Sequence, residues 1–217
     1  MAETGSQSIL NLIGGQLRLE LSPSVGGAIS ALEWTGDGRS RPILRKCHSP
    51  LEKVLDAGCF PLVPYVNRIR GGEFHFRGRD VRLEPNMPGD PSPLHGQGWL
   101  NAWMVERADE HSAALAYRHD PDEWPWAYEA RQTFALDKQG LSVTLGCINA
   151  SDEPMPCGLG FHPYFPCGAQ TVLDTGVESA WTIDNKVLPV AEVPAEGRYD
   201  LSDRLISPRS SSCGSSR

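Results

Sequence analysis

Hydrophobic and polar positions alternate with a period of two along much of the chain. Leu17, Leu19 and Leu21 share one face and are separated by Arg18 and Glu20, which predicts a half-buried strand over 16–21. Phe74 and Phe76, then Val81 and Leu83, flank Gly78-Arg79-Asp80 and predict a hairpin over 73–84 with the turn at those three residues. The clearest hairpin spans Tyr128 to Cys147. Tyr128, Ala130, Gln132, Phe134 and Leu136 share one parity, Asp137-Lys138-Gln139-Gly140 supplies the turn, and Leu141, Val143 and Leu145 resume one face. A further alternation runs through Ala113, Leu115 and Tyr117. Helical periodicity is confined to Pro50–Ala57, where Leu51, Val54 and Leu55 share a side. Without helical crossovers the pattern predicts an all-β fold, an antiparallel sandwich.

Composition sharpens this picture. The 22 glycines and 18 prolines punctuate short apolar runs, as turns between strands require. With 217 residues, 40% of them hydrophobic, the chain can build a sizeable core. No internal repeat or interdomain linker is visible, and the expected division is one sandwich domain over 1–206 and a Ser-rich disordered tail over 207–217. The formal charge of −7 argues against a nucleic-acid partner, since phosphate neutralisation needs clustered Lys and Arg. No apolar run is long enough for a membrane helix, and the N-terminus lacks a basic region followed by an apolar one. A cytoplasmic protein is expected, as a monomer or homodimer. Its six cysteines (Cys47, Cys59, Cys147, Cys157, Cys167 and Cys213) lack CxxC spacing and are expected to be free thiols; the His48–Cys47 neighbourhood alone is no metal site.

Three segments carry candidate chemistry. In Phe60–Ile69 an Asn67-Arg68 pair interrupts an apolar, proline-bracketed run. Its amide and guanidinium suit a polyhydroxylated ligand, while the ordinary alternative is a surface turn. In Pro93–Trp99 the histidine His95 precedes Gly96, with Trp99 and Trp103 close behind. Such residues can hydrogen-bond sugar hydroxyls and stack on the C–H faces of the ring, or they form a turn with core tryptophans. In Gly158–Phe165 His162 stands among aromatics before Pro163, placed either for proton transfer or as a satisfied core histidine. Trp124-Pro125-Trp126 reads as a packed loop. GxGxxG, P-loop, GxSxG and HExxH motifs are absent, which removes support for nucleotide, serine-hydrolase and zincin readings.

Asn67-Arg68-Ile69 with Gly71-Gly72 and Phe74, then Leu94-His95-Gly96, then Gly160-Phe161-His162-Pro163-Tyr164-Phe165 stand in the order found in the aldose 1-epimerase (galactose mutarotase-like) family. The chain resembles that family from residue 9 to about 204, including the 128–145 hairpin. The resemblance implies a β-supersandwich and interconversion of the α and β anomers of a free aldose such as glucose or galactose, with no metal or organic cofactor. It implies His162 as the acid on the ring oxygen and His95 as a catalytic and binding group. Arg68 would hold ring hydroxyls, with Asn67 supporting that wall; Trp99, from its place after His95, is a further expected sugar-binding residue. In the family the base is a glutamate far downstream of the His162 motif, with a sugar-binding aspartate between them. Here Tyr199–Asp203 gives way to Ser207–Arg217 instead, so the expectation is a sandwich incomplete at its C-terminus, with activity reduced or lost. A sugar-binding remnant without turnover and a hexose-phosphate 1-epimerase, with Arg70, Arg77 or Arg79 at the rim, stay open as alternatives.

Overall fold

The computed structural model describes residues 9–47, 50–202 and 204–205; His48, Asp203, Cys213 and the 207–217 tail lie outside them. Contacts divide the chain into two compact units that meet in sequence at Phe165 and Pro166.

Two four-stranded antiparallel sheets dominate the first unit. One runs β1 (Leu10–Gly14), β2 (Leu17–Ser22), β3 (Ala28–Trp34) and β4 (Arg41–Pro42). Between the sheets in sequence lie the short β5 (Pro61–Leu62) and the hairpin of β6 (Glu73–Phe76) and β7 (Arg79–Arg82). The second sheet is built from β8 (Met104–Ala108), β9 (Ser112–His119), β10 (Tyr128–Leu136) and β11 (Leu141–Asn149), each paired with its sequence neighbour. Last comes β12 (Gly160–Phe161), which returns to pair with β5.

Alternation sets which face is buried. Leu17, Leu19 and Leu21 of β2 join Ala130, Phe134 and Leu136 of β10 in a single apolar cluster, so the sheets pack face to face as a sandwich. Each fully buried leucine or phenylalanine contributes ~1.5–3 kcal/mol. A polar tie crosses this core: the Gln132 amide, 1% exposed, donates to the Gly27 carbonyl at 3.0 Å. Five free thiols lie among the described residues, and Cys59 is buried in the core. Trp124 and Trp126 are both 1% exposed, a packed loop as expected.

The long hairpin closes as its turn residues require. Asp137 Oδ1 accepts from the Gln139 and Gly140 amides at 2.7 and 3.0 Å, which bends the chain between Leu136 and its partner Leu141. In the β6–β7 hairpin the turn is tighter than expected. Phe76 pairs with Arg79, so Arg79 and Asp80 belong to the strand and only Arg77 and Gly78 turn, both with positive φ (49° and 85°). The helical expectation over 50–57 reduces to a single 3-10 turn at Val54–Asp56. Eight residues are too few to sustain a helix, and the Arg45 side chain competes for its end by donating to the Leu55 and Ala57 carbonyls.

The second unit contains β13 (Val172–Leu173), β14 (Ser179–Ile183), β15 (Pro189–Pro194) and β16 (Arg204–Leu205), pairing as β13–β16 and β14–β15. Among the described residues no helix is long and apolar enough to cross a membrane.

Candidate active site

The expected functional segments converge within the first unit. Its spine is the antiparallel pairing of β5 with β12, which the His162 amide extends by donating to the Phe60 carbonyl at 2.9 Å and the Tyr164 amide by donating to Gly58 at 2.8 Å. Strand period two therefore puts His162 and Tyr164 on one side, where their rings meet with centroids 4.8 Å apart. Phe60 forms the floor, stacked 4.9 Å from His162 at 16°. The spine is fixed to the first sheet because the Ile29 amide donates to Cys59 at 2.8 Å and the Gly58 amide to Ile29 at 2.9 Å.

A second pair of segments brings in Asn67, Arg68 and His95. Arg68 and Leu94 form an isolated antiparallel bridge. Beside it the Asn67 and His95 backbones both take left-handed conformations, with φ of 61° and 64°. Asparagine enters that region more readily than most residues; for His95 the hydrogen bonds supply the compensation. The His95 amide donates to the Asn67 carbonyl at 3.0 Å, and the Asn67 amide donates to His95 Nδ1 at 3.1 Å. Accepting at Nδ1 fixes the neutral tautomer and leaves Nε2 as the ring's donor. Asn67 thus acts on the cluster through its backbone, while its side chain is on an exposed residue.

Gly96 makes the close approach possible. A Cβ there would lie 2.2 Å from the Val63 carbonyl oxygen and 2.4 Å from Pro64 Cδ, and its φ is 70°. Asn86 holds the same turn from outside, accepting from the Leu94 amide at 2.9 Å and donating to the Leu94 and Gly96 carbonyls at 2.8 and 3.4 Å.

The result is a pair of imidazoles: His95 and His162 have ring centroids 5.6 Å apart and planes at 72°. Burial pulls His95 down to about 4, with the neighbouring His162 and Arg68 charges adding to the fall. Burial also lowers His162; hydrogen bonding to its own backbone opposes this and the Arg45 charge adds to it. Both rings are therefore neutral at pH 7. The His162 Nδ1 atom is buried, which leaves Nε2 as the ring nitrogen open to a ligand. The arrangement sets two neutral imidazoles at an angle beside a guanidinium.

That guanidinium is held on one side. Arg68 Nε donates to Asp90 Oδ2 at 2.6 Å, and the bond holds the Asp90 carboxyl below its usual range. Arg45 lies under the cluster, its guanidinium carbon 3.9 Å from the Tyr164 ring centroid.

His162, His95, Arg68 and Asn67 gather as the sequence reading expects. Trp99 takes a different place. It is 2% exposed, stacked against Phe60 with centroids 5.5 Å apart, and its indole N–H donates to Gly96 at 3.0 Å, so it supports His95 from within and offers no face to a ligand. The apolar surface that a tryptophan buries outweighs what one rim contact would gain. Phe60, Asn86, Asp90 and Arg45 escape the sequence reading. Asn86 and Asp90 sit in Pro85–Pro91, which reads as an ordinary turn-rich loop.

Comparison with known proteins places the chain in a family. The family model described as Aldose 1-epimerase matches residues 14–208, and the chain belongs to that family. The chain is 37% identical over 177 residues to the Escherichia coli K12 protein "Uncharacterized protein YphB", covering 80% of this chain and 57% of that one. A solved Escherichia coli K12 structure, "Putative aldose 1-epimerase", superposes with a TM-score of 0.80 at 34% identity, over 90% of this chain and 64% of the other. A galactose mutarotase-like protein from Clostridium acetobutylicum shares the fold, with a TM-score of 0.76 at 20% identity, over 88% of this chain and 63% of that one. The chain thus spans less than two thirds of the length of these relatives.

Proposed function

We propose that the cluster is the acid and substrate-binding side of an aldose 1-epimerase site, acting on a free aldose such as glucose or galactose. The observation that carries this reading is the angled pair of half-buried imidazoles, His95 and His162, beside a fixed guanidinium in a chain of this family. Anomer exchange requires the C5–O5 ring oxygen to gain a proton while the C1 hydroxyl loses one. The C1–O5 bond then breaks, the aldehyde rotates, and reclosure gives the other anomer.

His162 delivers the proton to the ring oxygen from Nε2. Its lowered pKa makes the imidazolium a stronger acid and a scarcer one at pH 7, a compromise familiar in general acid catalysis. His95, kept neutral, donates from Nε2 to an adjacent sugar oxygen and polarises it. Arg68 binds ring hydroxyls through its remaining N–H groups, and Asn67 holds His95 in register. Asp90, the carboxylate in this cluster, is committed to Arg68 and to the Ser92 amide, so the C1 proton leaves to water or to a group outside the cluster. That point also supports the rival reading, a sugar-binding protein without turnover.

Polarimetry on freshly dissolved α-D-glucose and α-D-galactose separates the two. The epimerase reading predicts that the chain speeds the approach to anomeric equilibrium and that His162→Ala abolishes the gain. Sugar binding with no acceleration by the folded protein would leave only the rival.

A further inference from the structure

The position of Asp90 bears on which sugars the site accepts. Asp90 is fixed at both oxygens: Oδ2 takes the Arg68 Nε–H at 2.6 Å and Oδ1 takes the Ser92 amide at 2.9 Å. Ser92 is itself 3% exposed, and its hydroxyl accepts from the Gly71 amide at 3.2 Å. The carboxylate is therefore built into the loop and does not swing at the surface. It meets the guanidinium at Nε alone. Among the described residues the two Nη groups have no hydrogen-bond partner, which leaves four N–H donors in one plane at fixed orientation.

Charge matters as much as direction. The Arg68 and Asp90 side chains are 20% and 16% exposed, and their opposite charges, 2.6 Å apart, largely cancel. Both imidazoles beside them are neutral at pH 7. Arg45 keeps its charge but is tied down beneath Tyr164 by the Leu55 and Ala57 carbonyls, and Arg79 is paired with Glu153. A phosphorylated or acidic sugar brings negative charge that favours a cation free to pair with it, and Asp90 already pairs with the guanidinium of Arg68.

We propose that Asp90 is a positioning and selectivity residue: it aims the Arg68 Nη groups at the hydroxyls of an uncharged pyranose and disfavours anionic hexoses. This rests on the sugar-site reading above and narrows its substrate class.

The test is titration calorimetry of the full chain with D-galactose and with D-galactose 6-phosphate. For Asp90→Asn, the galactose dissociation constant rises about three- to tenfold as the charge-assisted anchor is lost. The preference for galactose over its phosphate falls by about threefold or more, because the Arg68 charge is now uncancelled. Asp90→Glu restores part of the preference. In an Arg68→Gln background Asp90→Asn has no further effect on either quantity, as a double-mutant cycle through one contact requires. An unchanged ratio in Asp90→Asn, or an undiminished effect without Arg68, overturns the proposal while leaving the sugar site intact. Failure of the wild-type chain to bind either sugar overturns the site reading and this proposal with it.

Discussion

Replacing Gly96 by alanine tests the packing that brings His95 to His162. The new Cβ would stand 2.2 Å from the Val63 carbonyl oxygen, 2.4 Å from Pro64 Cδ and 2.5 Å from Pro64 N. Ordinary contact at such atoms is near 3.5 Å, so the two segments must part by about 1 Å. Two of these atoms are backbone and the third belongs to a rigid ring, so no flexible side chain can give way. The φ of 70° adds a left-handed penalty of ~1–2 kcal/mol for an L-residue. Overpacking of this kind adds ~1–3 kcal/mol, for a total of ~2–5 kcal/mol. Gly78→Ala is the control, because φ there is 85° but a Cβ meets nothing within 4 Å, so it carries the conformational penalty alone. Urea unfolding of the two variants measures the difference, and anomer exchange measures the displacement. A shift of 1 Å at His95 lowers the rate on the order of 10²-fold. Equal stability losses in the two variants, with the Gly96→Ala rate unchanged, would refute the claim that this contact positions His95.

Other consequences are independent of that contact. Because the His95 pKa falls from 6.5 to about 4 on folding, the unfolded chain binds the proton more readily, so the stability this ring contributes is complete above pH 6.5 and is lost as pH falls toward 4. The full shift corresponds to ~3 kcal/mol, which solvent screening of this half-buried ring reduces to ~1–2 kcal/mol. His95→Gln should flatten that part of the acid dependence in unfolding curves from pH 7 to 4.5, and an identical slope in both proteins would contradict the assignment. Asn86→Ala removes three hydrogen bonds to the His95 turn and strands the buried Leu94 amide, for a loss of ~2–3 kcal/mol in denaturant unfolding. Asn86→Asp keeps the acceptor and loses the donor bonds, and should fall between.

The sandwich was legible in the sequence wherever a strand has one wet face. Leu17, Leu19 and Leu21, and the Tyr128–Leu136 parity, describe the buried faces of β2 and β10. Legibility failed at shorter range. Arg79 and Asp80 look like turn residues, yet the positive φ available at Arg77-Gly78 closes the hairpin two residues earlier. The apolar side of 50–57 resembles a helix only until Arg45, from outside that segment, takes its last carbonyls. At the site, His95 and His162 stand out only through the order of the three segments, because each histidine alone fits a turn or a core position equally well. Asp90 and Asn86 do not, since Asn and Asp between prolines and glycine are what any loop contains. Their partners lie 22 and 8 to 10 residues away, a relation that only the folded chain displays. Trp99 misleads for the opposite reason: an aromatic near a histidine suits a sugar platform, but burial claims it first.

The central claim, that the His95–His162 pair moves a proton to the ring oxygen of an aldose, is tested most directly by the anomer exchange rate of D-galactose in magnetisation-transfer NMR. The wild-type chain, His95→Ala, His162→Ala and the double variant are compared with buffer. The account predicts exchange above buffer for the wild type, the buffer rate for His162→Ala, an intermediate rate for His95→Ala, and no further loss in the double variant, since the two rings act as one unit. A folded wild-type chain no faster than buffer, or a His162→Ala variant as fast as the wild type, would contradict it.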